Sequence, residues 1–297
     1  MLKIPLFPLF VYFLPMIGLA QQKQLNDTIE KIASQAKGAV GVAVVDLDTK
    51  ERFLFKADQQ YPMQSVYKFP LALAILHQVD EGKLDLDQMV HLTKEDLQIP
   101  YASPLREKYP EGNVDVSLAD ILRYTVSQSD NNGCDVLFRL AGGTNAVHRY
   151  IRSLGVRDIN IAATEREMGK SWDVQYTNWC TPSAMADLLE AFYTKKFLSN
   201  SSTTFLWKIM TETVSAPGRI KGQLPSNAIV AHKPGTSSTN AAGVTAATND
   251  VGIVELNNGR RFIIAVFIKN STAEMEAREK AIAQIAKLVS TYHVHDK

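Results

Sequence analysis

Three short clusters of residues along this chain could do chemistry on a carbonyl group. Ser65-Val66-Tyr67-Lys68 stands just ahead of an apolar, helix-like run. Residues i and i+3 share one face of a helix, so the Ser65 hydroxyl and the Lys68 amine would meet. At a helix N-terminus the partial positive charge favours a developing alkoxide. A hydroxyl is a weak nucleophile until a base adjoins it. Lys68 supplies that base if burial or cationic neighbours bring it below the ordinary lysine value of about 10.4. Ser129-Asp130-Asn131 opens a second helical stretch, and Lys233-Pro234-Gly235-Thr236 ends a strand-like one. Each cluster alone also has a plain structural use: a capping serine, a group of helix-start residues, a strand running into a turn. The three in this order are far more specific than any one.

Strands at both ends of the chain and helices between them must position these clusters. Segments 38–49 and 52–58 are Val- and Phe-rich and joined by the short turn Thr49-Lys50-Glu51. Three further strand patterns span 228–235, 243–256 and 260–270, the last two joined by Asn257-Asn258-Gly259. Short turns imply antiparallel pairing. Helical patterns dominate from Ser65 to about Glu212. They include 69–82 closed by Gly82, 117–128 behind Ser117 as N-cap, and 181–196 with Pro182 at the first helical position behind Thr181. An amphipathic helix over 272–293 closes the chain. The expected class is α+β: residues 21–62 and 213–297 form a sandwich of one five-stranded antiparallel sheet and the terminal helices, 63–212 form an all-helical insertion, and the site lies in the cleft between them.

Ser-x-x-Lys, Ser-Asp-Asn and a Lys-Thr-Gly-like triplet are the motif set of penicillin-binding proteins and class A β-lactamases. The chain resembles class A serine β-lactamases over essentially its whole length after residue 20, including the strand–helical insertion–strand order. The resemblance implies that Ser65 is the acylated nucleophile, Lys68 its proton partner, and Ser129 the proton shuttle to the departing lactam nitrogen. It makes Asn131 the holder of the substrate's side-chain amide and Lys233 the attractor of its carboxylate. The backbone N–H groups of Ser65 and Thr236, with Gly235 beside them, would form the oxyanion hole. Glu165 follows Ser129 by 36 residues and precedes Lys233 by 68, the family's spacing for the base that activates water; Glu167, the rival in the same loop, is off by two.

Gln64, Asp135 and the run from Val174 to Trp179 resemble one branch, the extended-spectrum cephalosporinases of PER, VEB and CfxA type. Asp135 takes the place of an Asn that tethers the loop bearing the general base. An aspartate cannot donate as an amide can, so a reorganised loop and a widened cleft are expected. Arg219 resembles the branch's alternative carboxylate-supporting arginine, Ala242 occupying the usual position, and Thr236 fits a cephalosporin preference. Pro234 departs from the motif. It lacks an N–H and fits only on an open strand edge, and it forgoes a hydroxyl contact to substrate on the order of 1 kcal/mol. Gly169 stands where most relatives have an Asn that helps hold the hydrolytic water, so slow deacylation is an expectation. Tyr101 is a candidate for the aromatic at the cleft entrance. Two other activities share Ser65, Lys68 and Ser129: a penicillin-binding sensor that stays acylated, and a DD-peptidase.

Composition bounds the rest. The 297 residues are 45% hydrophobic and 21% charged, an ordinary globular balance. With 32 basic and 31 acidic side chains no field of one sign surrounds the chain, against nucleic-acid partners. Residues 1–20 read as a secretory signal peptide: Lys3, an apolar stretch broken by prolines, and Gly18 and Ala20 at the cleavage point. The mature protein is then expected in the periplasm, without a membrane anchor, as a monomer acting on a small-molecule β-lactam. Its six histidines form no H-E-x-x-H, so no metal or other cofactor is expected. Cys134 and Cys180 are either a single bridge or two buried thiols.

Overall fold

The computed structural model describes residues 14–194 and 197–292. The greater part of the expected leader therefore lies outside the described residues; residues 14–20 open the first helix, α1 (Leu14–Ser34). No described helix is long and apolar enough to cross a membrane.

Five strands, β1 (Ala39–Asp46), β2 (Arg52–Phe55), β3 (Ile229–Thr236), β4 (Thr245–Glu255) and β5 (Arg261–Ser271), form one antiparallel sheet in the order β2-β1-β5-β4-β3. The α+β class and the five strands agree with the sequence reading. β1, β4 and β5 are buried on both faces, which is why β1 and β5 read as near-continuous apolar runs. β3 is an edge strand, and Pro234 sits on it opposite Asp250. There a missing N–H disturbs nothing on the open side.

The helices of eight or more residues after α1 are α2 (Lys68–Asp80), α3 (Leu118–Ser127), α4 (Asn131–Ala141), α5 (Thr144–Ser153), α6 (Pro182–Tyr193), α7 (Asn200–Thr211) and α8 (Met275–Thr291). Their starts follow local chemistry: Ser117 accepts from Asp120 N at 3.2 Å, Thr181 from Ala184 N at 3.1 Å, and Ser199 from Ser202 N at 3.2 Å. α1 and α8 cover one face of the sheet through Leu25, Ile29, Ile282 and Ile285, which meet Val42, Ile264 and Val266. The other face carries Ala43, Val45, Ile263 and Phe267 into a second core shared with α2 and α6. Burying each such aliphatic or aromatic side chain is worth about 1.5–3 kcal/mol.

The middle of the chain is not purely helical. Met89–Leu92 pairs with Val114–Ser117, and Trp179–Cys180 pairs with both Tyr61–Pro62 and Ile159–Asn160. These segments are two to four residues long, too short for a strand period to show, and only tertiary pairing makes them extended. Cys134 and Cys180 are both free and buried.

Candidate active site

Ser65 lies in a 3-10 turn, Gln64–Tyr67, that runs directly into α2. Gln64 is in the left-handed region, φ +48°, and the preceding backbone is held by Asn249 of β4, whose amide donates to the carbonyls of Pro62 at 2.8 Å and Met63 at 3.1 Å. Lys68, fully buried one turn on, reaches Ser65 Oγ at 3.1 Å. The same Nζ lies 2.8 Å from the Ser129 carbonyl, 2.6 Å from Asn131 Oδ1 and 3.0 Å from Glu165 Oε1. With its oxygen engaged by Lys68, the Asn131 amide keeps its NH2 for another acceptor.

Ser129 is also left-handed, φ +59°. Asp130 fixes that bend: as N-cap of α4 it accepts from Gly133 N at 2.8 Å, and its other oxygen accepts from Ser103 Oγ at 2.8 Å and Leu105 N at 2.7 Å. The Ser129 hydroxyl thereby accepts from Lys233 Nζ at 2.9 Å. Ser129 therefore bridges two buried lysines, one from α2 and one from β3. Burial, followed by the Lys68 ammonium, pushes the Lys233 ammonium well below the ordinary lysine value, against the opposing charges of Asp250 and Glu165.

Glu165 begins a single helical turn, Glu165–Met168, within an otherwise irregular loop. A reciprocal cap forms this turn: Thr164 Oγ1 accepts from Glu167 N at 3.3 Å, and the Glu167 carboxylate accepts from Thr164 N at 2.8 Å. Glu167 is thus committed to the backbone, whereas the nearly buried Glu165 carboxylate faces Lys68. Asp135 of α4 does tether this loop, as an acceptor: its two oxygens take the N–H groups of Glu165 at 2.8 Å and Arg166 at 3.1 Å. An aspartate replaces a donating amide here by reversing the direction of the bond. Burial pushes the Asp135 carboxyl up to about 6, the two N–H groups opposing. Asn178 closes the loop's base, accepting from Ala162 N and Ala163 N at 2.7 and 2.9 Å, and Gln64 donates to Gln175 at 2.6 Å.

Arg219 packs behind β3. It is buried and does not open to the cleft. Its guanidinium donates to the carbonyls of Gly235 at 3.1 Å and Asn249 at 2.9 Å, to Glu279 at 3.2 Å and to Thr236 Oγ1 at 2.6 Å. The Thr236 hydroxyl accepts from this guanidinium and so keeps its own proton to donate elsewhere. Arg219 thus contacts Thr236 and is not among the residues that line the cleft. Gly235 contributes its lack of a side chain: a Cβ there would stand 2.5 Å from the Met63 carbonyl and 3.1 Å from Ser65 N, so β3 approaches the Ser65 backbone this closely only with glycine. Ser65, Tyr101, Asn131, Glu165, Gly169 and Thr236 line one cleft of about 380 Å³. The sequence reading passed over Asn249 and the buried His232–Asp250 contact at 2.9 Å behind Lys233. The polar run Thr248-Asn249-Asp250 inside a strand of valines and isoleucines was the available signal. Among the described residues no group of three His, Cys, Asp or Glu side chains could hold a metal ion.

Residues 24–293 match the Beta-lactamase enzyme family. The chain is 42% identical to β-lactamase VEB-1 of Pseudomonas aeruginosa over 295 residues, 99% of this chain and 98% of that one. It is 43% identical to the extended-spectrum β-lactamase PER-1 of the same organism over 268 residues, 90% and 87% of the two chains. A crystal structure of a β-lactamase from Chitinophaga pinensis DSM 2588 superposes with a TM-score of 0.88 at 49% identity, covering 90% of this chain and 98% of that one. Sequence, fold and the convergence of the three motifs on one cleft agree, and the chain belongs to the class A β-lactamase family of hydrolases.

Proposed function

We propose that this protein hydrolyses cephalosporins, including bulky extended-spectrum ones, and penicillins through an acyl-enzyme on Ser65. The observation that carries the reading is the position of Lys68 Nζ, within about 3 Å of both the Ser65 hydroxyl and the Glu165 carboxylate. A proton leaving Ser65 has a direct route to a base as Oγ attacks the lactam carbonyl. The resulting oxyanion faces the N–H groups of Ser65 and Thr236. The C–N bond breaks as the nitrogen takes a proton from Ser129, whose oxygen Lys233 supports; the proton that left Ser65 passes on to Ser129, so that Ser129 is restored and Glu165 is again unprotonated. Glu165 then takes a proton from water, the water oxygen attacks the acyl carbonyl, and Ser65 departs with its proton restored. Lys233 and the Thr236 hydroxyl attract the substrate carboxylate, offsetting the hydroxyl absent at Pro234. The two subdomains, 21–62 with 213–297 and 63–212, would meet at this cleft. Removal of residues 1–20 would release a monomeric protein to the periplasm.

The test is a chromogenic-cephalosporin assay on the purified mature protein, with intact-mass spectrometry of the same mixture. Sustained turnover with a transient adduct on Ser65 is expected. A single stoichiometric burst with a stable adduct would make the protein a β-lactam binder instead, and no adduct with cleavage of acyl-D-alanyl-D-alanine peptides would make it a DD-peptidase.

A further inference from the structure

Gly169 ends the helical turn that carries Glu165, its N–H donating to the Glu165 carbonyl at 3.1 Å. A Cβ built on Gly169 would stand 2.8 Å from the Tyr101 hydroxyl oxygen, 3.0 Å from its Cε2 and 3.3 Å from its Cζ. The phenol thus fills the volume a side chain at 169 would need. Its oxygen stands about as far from that Cβ position as the polar atoms of an asparagine would. The segment carrying Tyr101 is fastened: Arg106 donates to the carbonyls of Ile99 and Tyr101, and Ile99 N donates to Asn132 Oδ1 at 2.8 Å. Tyr101 and Gly169 line the same cleft as Ser65 and Glu165. Among the described residues the Tyr101 side-chain hydroxyl makes no hydrogen bond to protein, and the buried Glu165 Oε1 has only its ion contact with Lys68.

From this placement we infer that Tyr101 is a water-anchoring catalytic residue, its hydroxyl doing for the deacylating water what a side chain at 169 would otherwise do. The inference rests on the reading that Glu165 activates that water. Glu165 takes one proton of the water, and the Tyr101 oxygen accepts the hydrogen bond of the other O–H. The water oxygen bonds to the acyl carbon, the Ser65 Oγ–carbon bond breaks, and Oγ recovers a proton. Tyr101 keeps its own proton throughout. Glycine at 169 and tyrosine at 101 are then one device in two parts, because only glycine leaves the phenol room.

Tyr101→Phe keeps the ring and removes only the oxygen. Acylation of Ser65 by a cephalosporin and decay of the adduct are both read by rapid-quench intact-mass spectrometry. The effect should fall on decay far more than on acylation, and an unchanged melting temperature reports a correctly folded protein. Decay of the adduct should slow by about ten-fold, the scale of one hydrogen bond. Tyr101→Ala should slow it likewise, and adding Gly169→Asn to Tyr101→Ala should restore it, since the amide then has space. Unchanged decay in Tyr101→Phe, or no recovery in the double variant, overturns the role of Tyr101. A wild-type protein that acylates but never clears its adduct would overturn the Glu165 reading itself, so the two failures are distinguishable.

Discussion

Lys68 is fully buried among oxygen atoms of Ser65, Ser129, Asn131 and Glu165. A buried amine is tolerated only where hydrogen bonds and charge replace water, so these partners are required for the fold itself. Glu165→Gln keeps the shape of the side chain and removes the base. Turnover should fall about 10²–10⁴-fold and a covalent adduct on Ser65 should accumulate in intact-mass spectra; unchanged turnover would remove Glu165 from its role. Lys233 gives a pH dependence. Its lowered value means that the positive charge is lost earlier than usual as pH rises, weakening attraction for the substrate carboxylate. The alkaline limb of kcat/KM should therefore fall below the ordinary lysine range. Lys233→Arg should move that limb upward, because a guanidinium stays charged.

The loop over residues 161–180 has little regular structure, yet it holds the Glu165 carboxylate against Lys68. It does so through three side chains from different places: Asp135 on α4, Asn178 at the loop's own base, and Gln175, which meets Gln64. Asp135 takes two N–H groups, and an amide could serve only one of them while pointing its NH2 at the other. Asp135→Asn should leave one N–H unsatisfied, at a cost of about 1–3 kcal/mol above pH 6 before relief of the buried charge is counted. Deacylation should slow in the same variant. The titration supplies a separate signature. The folded protein holds the Asp135 proton up to about pH 6, higher than an unfolded chain does. Between about pH 4 and 6 this group therefore lowers stability as pH rises. Melting temperatures of wild type and Asp135→Asn across that window should show the slope in the first and its loss in the second.

At the scale of the whole molecule, a two-faced sheet separates one core under α1 and α8 from a larger one shared with the helical block. Cys134 and Cys180 belong to the larger core, and burial pushes both thiols well above the ordinary cysteine value. A thiol reagent should find neither in the native protein and both after denaturation, and reductant should leave the melting temperature unchanged. Reaction of either thiol in the native state would contradict this packing.

The strands of the main sheet were legible as Val-, Ile- and Phe-rich runs bounded by turn residues, and the long helices because a period of 3.6 sustained over ten or more residues has one low-energy reading, with caps such as Ser117 and Thr181 marking their ends chemically. The triplets around Ser65, Ser129 and Lys233 were legible for a related reason, since each is a local geometry on one element. Other features depended on contacts between residues far apart in sequence. Nothing local could say that Glu167 would cap while Glu165 faced Lys68, that Asp135 would accept where an amide donates, or that Arg219 would lie behind Thr236. Likewise, Tyr101 and Gly169 are 68 positions apart and share a volume only because the chain folds. Local sequence determined the elements and the reactive groups; the tertiary structure decided which oxygen faces which proton, because burial removes water as the alternative partner.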